Sequence, residues 1–267
     1  MTLTPSEVRV IVAGAMLAMF LSALDQTIVA TALPPIARDL GEFALISWVI
    51  TSYLLTSTCV TPIVGKLSDL YGRRRLLIIC LVVFMVGSAL CALAPSMIAL
   101  ILARALQGLG GGGLITLAQA IVADVVSPRE RGRYAGYFAA VWASSALLGP
   151  TLGGILTQYY GWPWIFWINL PLGLLALLIA DRALRKLPVE HRRVPSDYAS
   201  IVLLSGATIG LLMVLSLGGR RFAWTSPEML ALAAVTLVLA ILFLRAQLRS
   251  PEPIMPPRFL GDRVVGP

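Results

Sequence analysis

Long apolar segments separated by short clusters of charge are the feature that most constrains the fold of this chain. A helix needs about 20 apolar residues to cross the roughly 30 Å hydrocarbon layer of a bilayer. Eight segments of suitable length and polarity lie near residues 8–32, 46–65, 75–94, 97–124, 133–157, 163–184, 198–217 and 227–247. The sequence therefore predicts an all-α membrane protein.

Composition supports this assignment and argues against several other classes of protein. Of the 267 residues, 58% are hydrophobic and 13% are charged, against roughly 25% charged in a soluble domain. The net charge of +8 does not indicate nucleic-acid binding, because the bases lie in short clusters between apolar segments. The three cysteines lie within apolar segments and the single His191 lies in a charged loop, so we expect neither a metal site nor a cofactor. The sequence has no nucleophile and base constellation or phosphate-binding loop, so we do not expect an enzyme.

The stretch at residues 65–75, between the second and third predicted helices, sets the expected topology. It holds Gly65, Gly72, Asp69 and four bases. Glycines permit a tight turn, and a cationic cluster stays on the cytoplasmic side of a membrane. With this loop inside, most of the Lys and Arg residues fall in inner loops and ends. We therefore expect a multi-pass protein of the cell membrane, in contact with lipids, with both termini in the cytoplasm.

A basic polar interval at residues 185–197 is the expected boundary between two helical groups. We expect a six-helix bundle at residues 1–184, a cytoplasmic linker at 185–197, two additional helices at 198–247 and a cytoplasmic tail at 248–267. Six helices with short loops suit two three-helix units of inverted topology, a plan that many transporters share.

Asp25 and Arg104 are ionisable residues predicted to lie within the membrane, where such residues mark functional sites by default. At about 1.5 Å of rise per residue, both lie at similar depth in the outer half of the bilayer. Two interpretations stay open at this point. The pair can couple transport to a proton, because the proton affinity of a carboxylate changes with a nearby guanidinium and with water access. Alternatively, the two residues form a permanent structural ion pair or never titrate.

Asp69, Arg73 and Asp124 are predicted at the cytoplasmic ends of the second, third and fourth helices. An acid, base and acid arranged in this way can hold one conformation and release it when the helices move. The alternative is a loop cluster that only satisfies the membrane topology.

Two glycine-rich segments predict close contacts between helices. Gly108 and the four glycines at residues 110–113 follow Arg104, and glycines at such positions let neighbouring backbones touch in a membrane. Residues 149–154 combine a pair of small residues with Pro150, which favours a kink.

Together these motifs resemble the major facilitator superfamily, and more narrowly its fourteen-span drug:proton antiporters of the EmrB/QacA type. The similar segments are residues 24–34 in the first span, 65–75 between spans two and three, 102–108 in the fourth span, 149–154 in the fifth span and 164–173 in the sixth. The resemblance implies a six-helix N-terminal major facilitator bundle followed by the two additional helices of the fourteen-span branch.

The same resemblance implies export of lipophilic or cationic small molecules in exchange for protons. It assigns proton coupling to Asp25 and Arg104. The conformational-switch loop would comprise Gly65, Asp69, Gly72, Arg73, Arg74 and Asp124, and the antiporter motif Gly149, Pro150, Gly153 and Gly154. Candidates for lining a substrate path are Gln26, Trp48, Gln107, Gln119 and Trp142.

The family also has a second six-helix bundle, whereas this sequence stops at Pro267. We therefore expect an N-terminal portion that lacks the C-terminal bundle and does not transport alone, because alternating access needs two bundles. One alternative is a non-transporting membrane remnant or a helical partner protein. Another is a sugar or metabolite facilitator of the same fold, which the fifth-span motif disfavours.

Overall fold

The structure is a computed structural model that describes residues 4–185, 198–219 and 222–249. Nearly all of these residues are helical, and their only β pairing is an isolated bridge between Gly218 and Phe222. The helices are α1 Pro5–Leu40, α2 Ile46–Tyr71, α3 Arg73–Ala92, α4 Met97–Val125, α5 Arg131–Tyr159, α6 Trp164–Trp167, α7 Asn169–Leu184, α8 Tyr198–Leu217 and α9 Pro227–Arg249, with a 3₁₀ turn at Phe43–Leu45.

Seven helical segments in the described part of the chain are long and apolar enough to cross a membrane, with α6 and α7 counted together. The apolar part of α8, Val202–Leu217, is shorter. The all-α membrane fold expected from the sequence is therefore confirmed. Residues 186–197 of the linker predicted at 185–197, which include His191, and residues 250–267 of the tail predicted at 248–267 lie outside the described residues.

Helix α1 is longer at both ends than the predicted segment at residues 8–32. A capping box starts it, in which the Thr4 side chain accepts the Glu7 N–H and Glu7 accepts the Thr4 N–H. The helix then continues through Pro34 and Pro35 to Leu40. Prolines are tolerated in transmembrane helices because neighbouring helices and local adjustments compensate for the freed backbone groups.

The sixth predicted helix, at residues 163–184, is divided into α6 and α7 at Ile168. Pro171 has no N–H to donate to the carbonyl oxygen of Trp167, so the regular helical ladder cannot run through this point. As a result, Asn169 is the first residue of α7 rather than an interior residue of one long helix.

Helix α4 is central to the first bundle and packs against α1, α2 and α3, while α1 also packs against α5 and α7. Glycines make the closest approaches. A Cβ atom built on Gly110 would lie 2.5 Å from the backbone nitrogen of Phe84 and 2.7 Å from the carbonyl oxygen of Cys80. A Cβ atom on Gly112 would lie 2.6 Å from the Cα of Ser57. The backbone of α4 is therefore in direct contact with the backbone of α3 on one side and of α2 on another.

The chain divides into two compact units, residues 1–191 and residues 192–267. In the second unit, α8 and α9 pack against each other. Gly210 makes room for Thr236 at that contact, because a Cβ on the glycine would lie 3.1 Å from the threonine Cβ. The domain bounds expected from the sequence stay a prediction.

Candidate functional site

Asp25 and Arg104 meet in the interior of the first bundle. The Asp25 Oδ2 atom lies 2.5 Å from Nη1 of Arg104, and the two side chains are 0% and 1% exposed. The residues come from α1 and α4, which lie 79 positions apart in sequence at this contact. The similar depths inferred from helix rise therefore correspond to direct contact.

Two amides complete the surroundings of the carboxylate. Gln107 donates through Nε2 to Asp25 Oδ1 at 2.9 Å, and Asn169 donates through Nδ2 to the same oxygen at 2.8 Å. Gln107 follows Arg104 by three residues, so both lie on one face of α4. Asn169, the first residue of α7, reaches the same carboxylate. Three donors, one of them charged, thus stabilise an ionised Asp25.

Several groups hold the Arg104 guanidinium. Nη1 donates to Gln107 Oε1 at 2.7 Å, and Nε donates to the carbonyl oxygen of Val49 at 3.3 Å. The guanidinium carbon lies 4.2 Å from the ring centre of Tyr53 and 5.8 Å from that of Phe166. Such cation–π contacts strengthen when water is excluded. Arg104 therefore contributes to the contacts among α2, α4 and α6 as well as to the ion pair.

A second layer of hydrogen bonds surrounds the ion pair. Ser88 on α3 accepts from Asn169 at 3.0 Å and donates to the Phe166 carbonyl at 2.9 Å. Cys91, also on α3, donates to Gln107 Oε1 at 3.4 Å. The Tyr53 hydroxyl lies 2.9 Å from that of Ser22 on α1. A buried ion pair is tolerated only when further hydrogen bonds satisfy its remaining polar atoms. Gln107, Asn169 and the Val49 carbonyl supply those bonds, and this second layer holds the two amides in place.

The adjoining ends of α2, α3 and α4 bring together the acid, base and acid expected there. Arg73 lies 2.6 Å from Asp69 through Nη2 and 2.9 Å from Asp124 through Nε, and it also donates to Ser68. These contacts join α2, α3 and α4. Gly72 is the single residue between α2 and α3, and its φ of +89° is one that other residues adopt only with strain.

Arg74 lies in a different cluster from Arg73. Its guanidinium donates to Asp181 on α7 at 2.6 and 3.1 Å, and Arg185 binds the second oxygen of that carboxylate at 2.8 Å. Sequence reasoning placed Arg74 in the switch loop and did not single out Asp181. The available signal was the spacing of Asp181 and Arg185, which lie one helical turn apart.

The glycines of the fifth-span motif have two different surroundings. Gly149 packs against Thr27 and Gly153 against Thr31, and a Cβ atom built on Gly149 would lie 2.7 Å from the Thr27 Cβ. Gly154 has open space around it, and neighbouring Pro150 is exposed. Half of the motif therefore serves the contact between α1 and α5.

Gly65, expected in the switch loop, lies within α2 and is loosely surrounded. A Cβ atom built there would lie 3.9 Å from the nearest atom, the Thr116 methyl group, which is an ordinary van der Waals distance. The structure therefore gives no steric reason for a glycine at this position, in contrast to Gly72.

The five candidates for a substrate path have different exposures. Gln107 is fully buried in the network around Asp25. Gln26 and Trp48 are half-buried, and Gln26 donates to the Ser22 carbonyl at 3.4 Å. Gln119 and Trp142 are exposed. A role in substrate binding stays a prediction for all five.

Asn169, Ser88 and Tyr53 belong to the site but were not singled out from the sequence as site residues. The available signal was polarity, since each lies in a predominantly apolar segment and Asn169 is the only asparagine in the sequence. Among the described residues, no group of three or more His, Cys, Asp or Glu side chains is placed to hold a metal ion.

Long apolar helices packed around a buried ion pair define a multi-pass helical membrane protein. Residues 15–244 match the family model described as Major Facilitator Superfamily. The chain belongs to the Major Facilitator Superfamily. This family, together with relatives that are named as transporters, confirms the expectation that the chain is not an enzyme.

Bacterial and fungal relatives share this sequence at substantial identity. The chain is 39% identical over 258 residues to the multidrug transporter protein MdtP of Bacillus subtilis (strain 168), covering 97% of this chain and 48% of that protein. It is 42% identical over 234 residues to the efflux pump dotC of Dothistroma septosporum, covering 86% of this chain and 40% of that protein. The chain thus spans about half the length of these curated relatives or less.

A solved structure shares the fold. The human organic anion transporter MFSD10 (TETRAN) superimposes with a TM-score of 0.62 at 19% identity, covering 91% of this chain and 72% of that chain. At this identity the likeness concerns the fold alone.

Proposed function

We propose that this chain supplies the N-terminal bundle and the two additional helices of a fourteen-span, EmrB/QacA-type exporter that exchanges small molecules for protons. The names of the relatives support drug efflux, since they include a multidrug transporter and efflux pumps. The first bundle and the α8–α9 pair agree with a six-plus-two arrangement. Alternating access needs a second bundle, so we propose that these residues do not transport alone.

The buried contact between Asp25 and Arg104 is the single observation that carries proton coupling. While Asp25 is ionised, the ion pair has no net charge. Hydrogen bonds then hold the Arg104 side chain against Asp25 on α1 and against Gln107 on its own helix. A proton on Asp25 cancels the carboxylate charge and leaves the guanidinium charge uncompensated. This difference gives the bundle two electrostatic states, which an alternating-access cycle can expose to opposite sides of the membrane.

The contacts of Arg73 support a second element of the proposal. Its ion pairs with Asp69 and Asp124 cross from α3 to α2 and α4 at one end of the bundle. We propose that this loop faces the cytoplasm and stabilises one conformation of the cycle. Breaking the pairs as the helices move would then release that conformation.

We propose that the substrates are lipophilic molecules, many of them cationic. Trp48 and Trp142 offer aromatic faces on α2 and α5, and such faces attract cations. Helices α1, α2, α4 and α5 would supply one half of the path, and the second bundle would supply the other half.

The experiment that tests coupling uses the longest natural polypeptide containing this sequence, produced in a bacterial strain that lacks its own drug pumps. Everted membrane vesicles are given an imposed pH gradient, and uptake of ethidium is followed by fluorescence. We expect Asp25→Asn to abolish uptake driven by the pH gradient. The matched control is Asp39→Asn, the same change near the end of α1, where an amide oxygen can still accept the Trp162 N–H seen at 3.0 Å.

Three results bear directly on the proposal. Gradient-driven uptake that survives in Asp25→Asn removes Asp25 from the coupling mechanism. Efflux by residues 1–267 alone contradicts the need for a second bundle. Uptake of no substrate by any form of the protein favours a non-transporting membrane protein instead.

A further inference from the structure

Only the NH₂ group of the Asn169 side-chain amide makes hydrogen bonds to the described residues. Nδ2 donates both to Asp25 Oδ1 and to Ser88 Oγ, at 2.8 and 3.0 Å. Oδ1 is buried and has no hydrogen-bond partner among the residues that the structure describes. A buried carbonyl oxygen without a donor carries a desolvation penalty, so its position beside the central carboxylate calls for a physical reason.

A protonated Asp25 would need a new acceptor, because a carboxylic acid donates one hydrogen bond. Arg104 only donates, so it cannot fill this role. The carbonyl oxygen of Gln107 already accepts from Arg104 at 2.7 Å and from Cys91 at 3.4 Å. Reversing the Gln107 amide would point its NH₂ group at the guanidinium. Of the two amides that contact the carboxylate, Asn169 is therefore the one with an acceptor to spare.

We propose that Asn169 is a positioning residue that reverses its side-chain amide when Asp25 takes up a proton. Reversal places the carbonyl oxygen where Nδ2 now lies, about 2.8 Å from Asp25 Oδ1. This separation lies within the range of O–H···O hydrogen bonds. Asp25 would then donate its new O–H to Asn169, whereas Asn169 donates to Asp25 in the ionised state.

The proton balance of this step is simple. A proton from water adds to Asp25 Oδ1, no covalent bond of the protein breaks, and the pair with Arg104 changes from neutral to one positive charge. Ser88 turns its O–H from the Phe166 carbonyl to the Asn169 carbonyl. Both changes are side-chain rotations.

The other titratable groups around the site do not replace Asn169. Arg104 faces Asp25 from α4, Tyr53 stacks on Arg104 from α2, and Cys91 reaches the site from α3 through Gln107. The Tyr53 hydroxyl is engaged with Ser22. Because Asn169 would hold Asp25 in both protonation states, protonation would loosen the contact with Arg104 and leave the contact between α1 and α7 intact.

This inference rests on the proposed function, because it requires Asp25 to take up a proton. Asn169 is the only asparagine in residues 1–267, so labelled asparagine in a polypeptide of these residues reports on one site. Cell-free synthesis with asparagine labelled at ¹³Cγ and ¹⁵Nδ2, followed by transfer into lipid nanodiscs, gives a sample for solid-state NMR. Infrared spectra of the same sample, taken between alkaline and acidic pH, detect a protonated carboxyl group.

We expect the two labelled atoms to move in opposite directions on acidification. The ¹³Cγ signal moves downfield as the carbonyl gains donors, and the ¹⁵Nδ2 signal moves upfield as the amide loses acceptors. Both movements follow the infrared band of the protonated carboxyl group. In Asp25→Asn, which adds one distinguishable amide signal, neither the band nor the pH-dependent movement of Asn169 appears. In the control Asp39→Asn, both stay as in the wild type.

The failures of the two proposals are distinguishable. A carboxyl band that depends on Asp25, with Asn169 signals that stay fixed, overturns the amide reversal and leaves proton coupling standing. The absence of any Asp25-dependent band overturns both.

Transport by the full-length polypeptide gives a second measurement. A threonine hydroxyl both donates and accepts, whereas leucine does neither. We expect Asn169→Leu to lower gradient-driven uptake about tenfold or more and Asn169→Thr to stay within about threefold of the wild type, at matched protein levels. Wild-type uptake by Asn169→Leu contradicts the positioning role even if the protein folds normally.

Discussion

Replacing Gly110 by alanine tests how closely α3 and α4 approach. The new Cβ would lie 2.5, 2.7 and 2.8 Å from the Phe84 nitrogen, the Cys80 oxygen and the Phe84 Cα. Because all three are backbone atoms, no side-chain rotation can relieve the contact. Carbon atoms pack at about 3.5–4.0 Å, so α3 would have to retreat by about 1 Å.

The expected loss of stability follows from two opposing effects. Overpacking costs about 1–3 kcal/mol, and contact with three backbone atoms places this substitution in the upper part of that range, at about 2–3 kcal/mol. Alanine regains about 1 kcal/mol over glycine within a helix. The net cost of about 1–2 kcal/mol corresponds to a fall in Tm of about 2–8 °C for a unit of this size. Gly136→Ala is the matched control, because its Cβ would meet open space on α5, and we expect it to keep or raise the Tm.

Thermal unfolding of the purified chain in detergent, followed by circular dichroism and by tryptophan fluorescence, measures both variants. A Gly110→Ala protein that unfolds at or above the wild-type temperature would refute the close backbone approach. A Gly136→Ala protein that unfolds as early as Gly110→Ala would show that the loss is not specific to the contact between α3 and α4.

Two further predictions concern ion pairs. In a double-mutant cycle, Asp25→Asn and Arg104→Gln should each destabilise the bundle by about 3–5 kcal/mol. The double variant should lose much less stability than the sum of the two single losses. Losses that add up in thermal unfolding would contradict a direct ion pair. Charge reversal at either Arg74 or Asp181 should lower the Tm, and the loss should be larger at low salt. Reversal of both charges should recover only part of the loss, because Arg185 then faces a like charge. If the two reversals change the Tm additively, Arg74 and Asp181 are not in contact.

The contact between Asp25 and Arg104 could be anticipated because charges in apolar segments are rare and helix rise fixes their depth. The remainder of the site could not be anticipated in the same way. Asn169 and Ser88 are uncharged, and periodicity is weak in helices that are apolar on most sides.

The helix bounds and the contacts of Arg73 and Arg74 could likewise be predicted only in part. Seven predicted segments correspond to helices long and apolar enough to span a membrane, but α1 continues past Pro34 because other groups compensate for the proline. Asp69 and Arg73 are only four residues apart in the chain, so their proximity could be expected from the sequence although they belong to α2 and α3. The partner of Arg74 is 107 residues away, and local spacing carries no information about a contact of that kind.

Gly72 gives the loop between α2 and α3 a mechanical property. Helix α2 ends at Tyr71 and α3 begins at Arg73, so one residue is the whole connection. Successive Cα atoms keep a fixed separation of about 3.8 Å, and the two helix ends therefore cannot slide apart. They can still swivel about the glycine dihedrals. Any displacement of α2 along its axis must therefore move the start of α3 by a similar distance, whereas the angle between the two helices can change.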